Sequence, residues 1–170
     1  MEAPARALIL LTVALAGCGA ASKPAATPTP ERVVVSRVVD GHCPVTLPGP
    51  EFGEGFNYGI EDKLAVALWP KGVLAAGKLP DGGSYAEVSA DGSIRTKIAW
   101  WRGTPGKVRV RGERLDASGP PLRAHVPDGY GSTGFQPSGL TFPTTGCWHI
   151  TGSVGDARLE FVVLVRRLSR

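Results

Sequence analysis

The chain has 170 residues, 42% of them hydrophobic, which is room for one domain with its own core. Its net charge is +4, a small excess interleaved with acids such as Glu51, Glu54, Glu61 and Asp62, so nucleic acid is not expected as a partner. The cysteines number three, so one of them must have a fate other than pairing within the chain.

Residues 1–17 have the layout of a secretory signal: basic Arg6, an apolar run over 7–16, then small residues. The run is about half of the roughly 20 residues that a membrane-spanning helix needs. It ends in Leu15-Ala16-Gly17-Cys18, which resembles the lipobox of bacterial lipoproteins. The resemblance implies that a diacylglycerol is attached to the Cys18 thiol and that cleavage before it makes Cys18 the first mature residue. Acyl burial gains roughly 0.8 kcal/mol per methylene, and two chains anchor stably where one is marginal. The expected location is therefore the cell membrane or outer membrane, with the folded part outside the cytoplasm. Residue 19 is glycine, not the aspartate that in Gram-negative lipoproteins often favours the inner membrane.

Residues 18–42 read as the lipidated cysteine and a flexible linker. Positions 19–31 lack large apolar side chains and are broken by Pro24, Pro28 and Pro30, so they cannot offset the entropy of folding. The apolar stretch 33–39 fits either an edge strand or a membrane-proximal segment with little structure.

From 43 to 170 the sequence predicts an all-β domain, an antiparallel β-sandwich. Short β-favouring runs alternate with Gly, Pro, Asp and Ser every eight to twelve residues, at 63–69, 73–77, 85–89, 93–101, 107–115, 122–126, 139–142, 147–152 and 158–166. In the last run Leu159, Phe161, Val163 and Val165 share one face, with Arg158, Glu160 and Val162 on the other. Asp81-Gly82-Gly83, Asp91-Gly92 and Thr104-Pro105-Gly106 read as strand reversals.

In an oxidising compartment the two remaining cysteines, Cys43 and Cys147, read as one disulfide, which would stabilise by up to roughly 4–5 kcal/mol in the chain-entropy model. Alternation places Trp148 and Ile150 in the core and Cys147, His149 and Thr151 outward, so the bridge is expected on the outer side. The competing use of these residues is a zinc or copper set of His42, Cys43, Cys147 and His149. Its spacing matches no familiar structural site. His125 is read as a surface or satisfied histidine.

Motifs of nucleophilic catalysis are missing, Ser138 in Gln-Pro-Ser-Gly coming nearest, and turn aspartates such as Asp81, Asp91, Asp128 and Asp156 are explained by backbone hydrogen bonds. An enzyme is not expected, and neither a cofactor nor a resident metal. Arg95 and Lys97 alternate with Ile94, Thr96 and Ile98, and Lys107, Arg109 and Arg111 with Val108 and Val110. A hairpin through 103–106 would gather these five cations on one face, either as an ordinary solvated surface or as a site for anionic headgroups or cell-wall polymers. Of Trp100 and Trp101 one should point inward; the other is covered by a loop or free for contact.

The segments Trp100-Trp101-Arg102-Gly103, Pro120-Pro121-Leu122-Arg123-Ala124, Gly129-Tyr130-Gly131-Ser132-Thr133-Gly134-Phe135-Gln136 and Gly146-Cys147-Trp148-His149-Ile150-Thr151-Gly152 resemble a bacterial family of secreted proteins and lipoproteins with no established activity. The resemblance implies no catalytic residue. The final segment, Cys-Trp-x-Ile followed by residues 155–165, is similar to the closing hairpin of immunoglobulin-like domains, an analogy of fold and not of function. The expectation is a membrane-tethered extracytoplasmic lipoprotein with a non-catalytic binding or structural domain for an envelope protein or glycan. The alternatives are the metal-binding domain above or a hydrolase with an unrecognised site.

Overall fold

A computed structural model of the protein describes residues 36–50, 55–60, 62–79 and 81–168. The signal segment, the lipobox cysteine Cys18 and the spacer 19–31 lie outside them. The described residues form twelve strands: β1 (Ser36–Val39), β2 (Cys43–Thr46), β3 (Tyr58–Ile60), β4 (Leu64–Val66), β5 (Val73–Ala76), β6 (Ala86–Val88), β7 (Ile94–Arg102), β8 (Arg109–Arg114), β9 (Arg123–His125), β10 (Gly134–Phe142), β11 (Gly146–Val154) and β12 (Ala157–Arg167). One short 3-10 turn, Pro70–Gly72, precedes β5.

The strands make an immunoglobulin-like sandwich. In the front sheet β10 lies between β9 and β7, while β4 and β6 share the other edge of β7 and β3 flanks β4. The back sheet runs β8, β11, β12, β5, antiparallel except that β5 runs parallel to β12. A single pairing of Ala76 with Ala86 joins the sheets at one edge. The chain passes between the two faces at 103–108, 115–122 and 143–145.

Alternation explains this arrangement. Every second residue of the long strands is buried: Ile94, Ile98 and Trp100 from the front, Trp148, Ile150, Phe161 and Val163 from the back. Trp100 and Phe161 meet with ring centroids 6.1 Å apart, and Phe142 packs edge-on against Trp148 at 5.4 Å. Buried polar groups are met within and across the sheets: Trp100 Nε1 donates to Ser138 Oγ on the neighbouring front strand (2.9 Å), and Tyr58 Oη donates across the sandwich to the carbonyl of Glu160 (2.9 Å).

Three expectations change. The described part of 33–39, Ser36–Val39, is a strand, so sheet begins before the linker boundary drawn at 42; β1 pairs with β2 in its own small sheet. That hairpin packs over the outer face of the back sheet, where Thr46 Oγ1 accepts from the Val162 amide (2.9 Å) and Val45, Leu164, Cys43 and Cys147 form a second small core. Cys147 does point away from Trp148, but the outer side is covered there and the bridge is buried, not exposed.

The second change concerns 139–142, which belongs to a strand beginning at Gly134. Pro137 hid it, and is tolerated because β9 reaches only 139–141, so β10 needs one ladder at Pro137 rather than two. Third, 103–106 is no hairpin: it carries the chain from the front sheet to the back, since β7 pairs with β10, β4 and β6, and β8 with β11. The apolar faces of β7 and β8 meet the same core from opposite sides, so their outer residues face apart.

Candidate functional site

The outer face of the front sheet carries the site. Register places Arg95, Thr141 and Arg123 in one cross-strand row and Lys97, Gly139 and His125 in the next. Directly opposed residues point to the same side. β10 thus supplies a low floor and the flanking strands supply basic walls, Arg95 and Lys97 on β7, Arg123 and His125 on β9. With strands spaced about 4.8 Å, the walls stand about 10 Å apart at the backbone. The result is an open trough of about 690 Å³. A β-carbon added at Gly139 would have its nearest neighbour 3.9 Å away, the carbonyl of His125, so the floor has space above it.

The face continues past this trough. The next rows are Ala99 with Pro137 and Trp101 with Phe135. Phe135 is 50% exposed and packs edge-on against Tyr130, itself 43% exposed, at 5.9 Å. Trp100 is fully buried, while Trp101 is half-buried on the outer face. One surface therefore holds an aromatic end, a low middle and a cationic end.

Arg102 secures the aromatic end. Its side chain points inward and is buried, and its guanidinium donates to backbone carbonyls: Nε to Gly134 (3.2 Å), Nη2 to Gly131 (2.7 Å) and Thr133 (3.2 Å), and Nη1 to Gly106. Burial lowers its pKa from the ordinary guanidinium value, and the carbonyl cage takes the place of water. Gln136, also buried, accepts from the Val108 amide (2.9 Å) and donates to the carbonyl of Pro127 (3.3 Å). The crossover and the loop before β10 are thereby tied to one another.

The cations are incompletely neutralised. Glu87 lies 3.6 Å from Arg95, but both side chains are mostly exposed, so the pair is weak. Among the described residues no carboxylate is within salt-bridge distance of Lys97 or Arg123. Asp91 feels Arg123 at longer range; its carboxyl is held below the usual range first by the Ser93 hydroxyl and amide. Asp128 is held down by Lys107, 2.7 Å away.

The five cations expected together are divided. Arg95 and Lys97 sit in the front trough; Lys107 is paired with Asp128 at the crossover; Arg109 and Arg111 face outward on β8, in the back sheet. Arg123, His125 and the exposed aromatics were not assigned to a site from sequence, because they join it only through the pairing of β9 and β10. Their signal was the alternation itself, which shows two faces and not their neighbours.

Cys43 and Cys147 are bonded, with α-carbons 5.5 Å apart. The metal set of His42, Cys43, Cys147 and His149 thereby loses both thiolates, and its histidines turn to carboxylates. His42 Nε2 is 3.8 Å from Asp116, and His149 Nε2 is 3.2 Å from Glu160. Glu160 is held down chiefly by Arg158 (2.5 Å), with His149 adding to it. At Asp116 burial opposes the charge, but the hydrogen bond from Arg114 (2.7 Å) and the Cys147 backbone outweigh it and lower the pKa. Ser138 is buried and receives the Trp100 indole N–H, which is a structural role.

No family model, curated protein or solved structure matches this chain.

Proposed function

We propose that this protein is a lipid-anchored, non-catalytic binding domain, held by acylated Cys18 at the outer side of a cell membrane or outer membrane and presenting the outer face of its front sheet to the envelope. The observation that carries the reading is that face, where Lys97 and Arg123 stand over an open floor at one end and half-exposed aromatics lie at the other. Partly desolvated aromatic and arginine side chains on one rigid surface are the usual anchors of an interface. The buried Cys43–Cys147 bridge fits an oxidising compartment. The carboxyl groups with shifted titration, Asp91, Asp116, Asp128 and Glu160, are all pushed down. Each is held as an anion by its own neighbouring donor, Ser93, Arg114, Lys107 and Arg158 in turn, so these charges serve local pairing.

The anchoring is tested by expressing the full chain in a bacterial host and comparing it with Cys18→Ser. The expected result is a membrane-bound protein whose N-terminal peptide is heavier by the lipid, and a variant that leaves the membrane fraction. An unacylated wild-type chain, or a variant still processed and retained, would overturn it.

A further inference from the structure

We infer that the outer face of the front sheet binds an acidic polysaccharide, its sugar rings lying on Trp101, Phe135 and Tyr130 and its carboxylates or phosphates meeting Lys97, Arg95 and Arg123. This rests on the binding-domain reading above and names the ligand class for that face.

The shape fits a chain laid along the strands. Outward residues recur every second position, so Trp101, Ala99, Lys97 and Arg95 follow one another over about 20 Å. That is a length for a short oligosaccharide and too long for one small anion. The middle is low, because Ala99, Pro137 and Gly139 raise little above the sheet. A pyranose ring has an apolar C–H face that an exposed aromatic ring can cover while the sugar hydroxyls stay in water. Phe135 and Tyr130, each near half-exposed and set edge-on to one another, offer such surfaces.

Charge completes the selection. Lys97 and Arg123 lack a near carboxylate among the described residues, and Arg95 has only an exposed, exchangeable one in Glu87. Guanidinium forks match carboxylate and phosphate oxygens in bidentate geometry. The carbonyl cage around Arg102 fixes the loop that carries Tyr130 before any ligand arrives, which lowers the entropy lost on binding.

Other occupants fit less well. Single-stranded nucleic acid presents a phosphate beside every base, so its binding sites interleave cations and stacking rings, whereas here they occupy opposite ends. A flat membrane surface would be met by side chains that protrude along the whole face, and here the middle of the face is low at Ala99, Pro137 and Gly139.

The test uses the full chain made soluble by Cys18→Ser, titrated calorimetrically with alginate oligomers (carboxylate), phosphomannan fragments (phosphate) and neutral dextran oligomers. At least one acidic glycan should bind tenfold or more tighter than dextran. Lys97→Glu and Arg123→Glu should each weaken it tenfold or more. So should Trp101→Ala and, in case that half-buried residue disturbs folding, Phe135→Ala with its unchanged melting temperature. Raising the salt should remove most of the binding and leave a residue that still depends on Phe135.

Three results would overturn the inference: binding that the aromatic variants leave intact, equal binding of dextran, or no binding of any glycan. Capture of phosphatidylglycerol vesicles or single-stranded DNA in place of glycan would overturn the ligand class while leaving a binding domain. Loss of Cys18 acylation would instead remove the tether and leave the glycan site standing.

Discussion

The six-membered ring of Trp100 occupies the space in which a side chain at residue 152 would stand. A β-carbon built on Gly152 overlaps Cη2 and Cζ3 of that ring and lies 3.3 Å from Cε3. Glycine within β11 is therefore a packing requirement: the back sheet must come bare at this point for the largest fully buried side chain of the front sheet to fill the core. The indole cannot swing aside freely, because its N–H is committed to buried Ser138.

Gly152→Ala is accordingly expected to lower stability by about 1–3 kcal/mol, the cost of overpacking a close-packed core. Gly119→Ala, at a position with no atom within 4 Å of the added carbon, should stay within about 0.5 kcal/mol of the parent. Urea unfolding followed by tryptophan fluorescence distinguishes them. Equal midpoints would show that the core relaxes around the new methyl group.

Arg102 is expected to be irreplaceable by lysine. Its planar fork reaches carbonyls of Gly106, Gly131, Thr133 and Gly134 at once, and an ammonium cannot reproduce those directions. Arg102→Lys leaves buried acceptors unmet and should cost about 2 kcal/mol or more. Amide hydrogen exchange should rise at 103–107 and 129–134 before it rises in β11 and β12. A variant with parental exchange in both loops would refute the clamp.

The disulfide ties the β1–β2 hairpin to β11. Replacing both Cys43 and Cys147 by alanine should cost up to roughly 4–5 kcal/mol by the loop-closure argument. Exchange should increase most in β1 and β2, which hold to the back sheet through little besides the small cluster around the bridge and the Thr46 hydrogen bond. Both sulfurs are buried, so a reductant without denaturant should reduce the bridge slowly. Fast reduction of the folded protein would mean that the hairpin opens on its own.

The position of Trp148 in the core, the inward set Leu159, Phe161, Val163 and Val165, and the partnership of Cys43 with Cys147 were legible in the chain. Each depends on local information: a period of two along one strand, or the two thiols left once Cys18 is assigned elsewhere. β2 and β3 were missed: equally short strands such as β4 and β5 lie in continuous β-favouring runs, whereas these two are interrupted by a strand-poor residue, Pro44 or Gly59.

The basic surface was decided differently. Arg95 and Lys97 were recognised as outward-facing from their own strand, but whether their neighbours were Lys107, Arg109 and Arg111 or Arg123 and His125 depended on which strand lay beside β7. Alternation is written into consecutive residues, so the sequence by itself determined an all-β body with one inner and one outer face per strand. Pairing is chosen by the requirement that two apolar faces bury one another, a condition on the whole chain at once. For that reason only the tertiary structure could place aromatic and cationic residues from β7, β9 and β10 on a common surface.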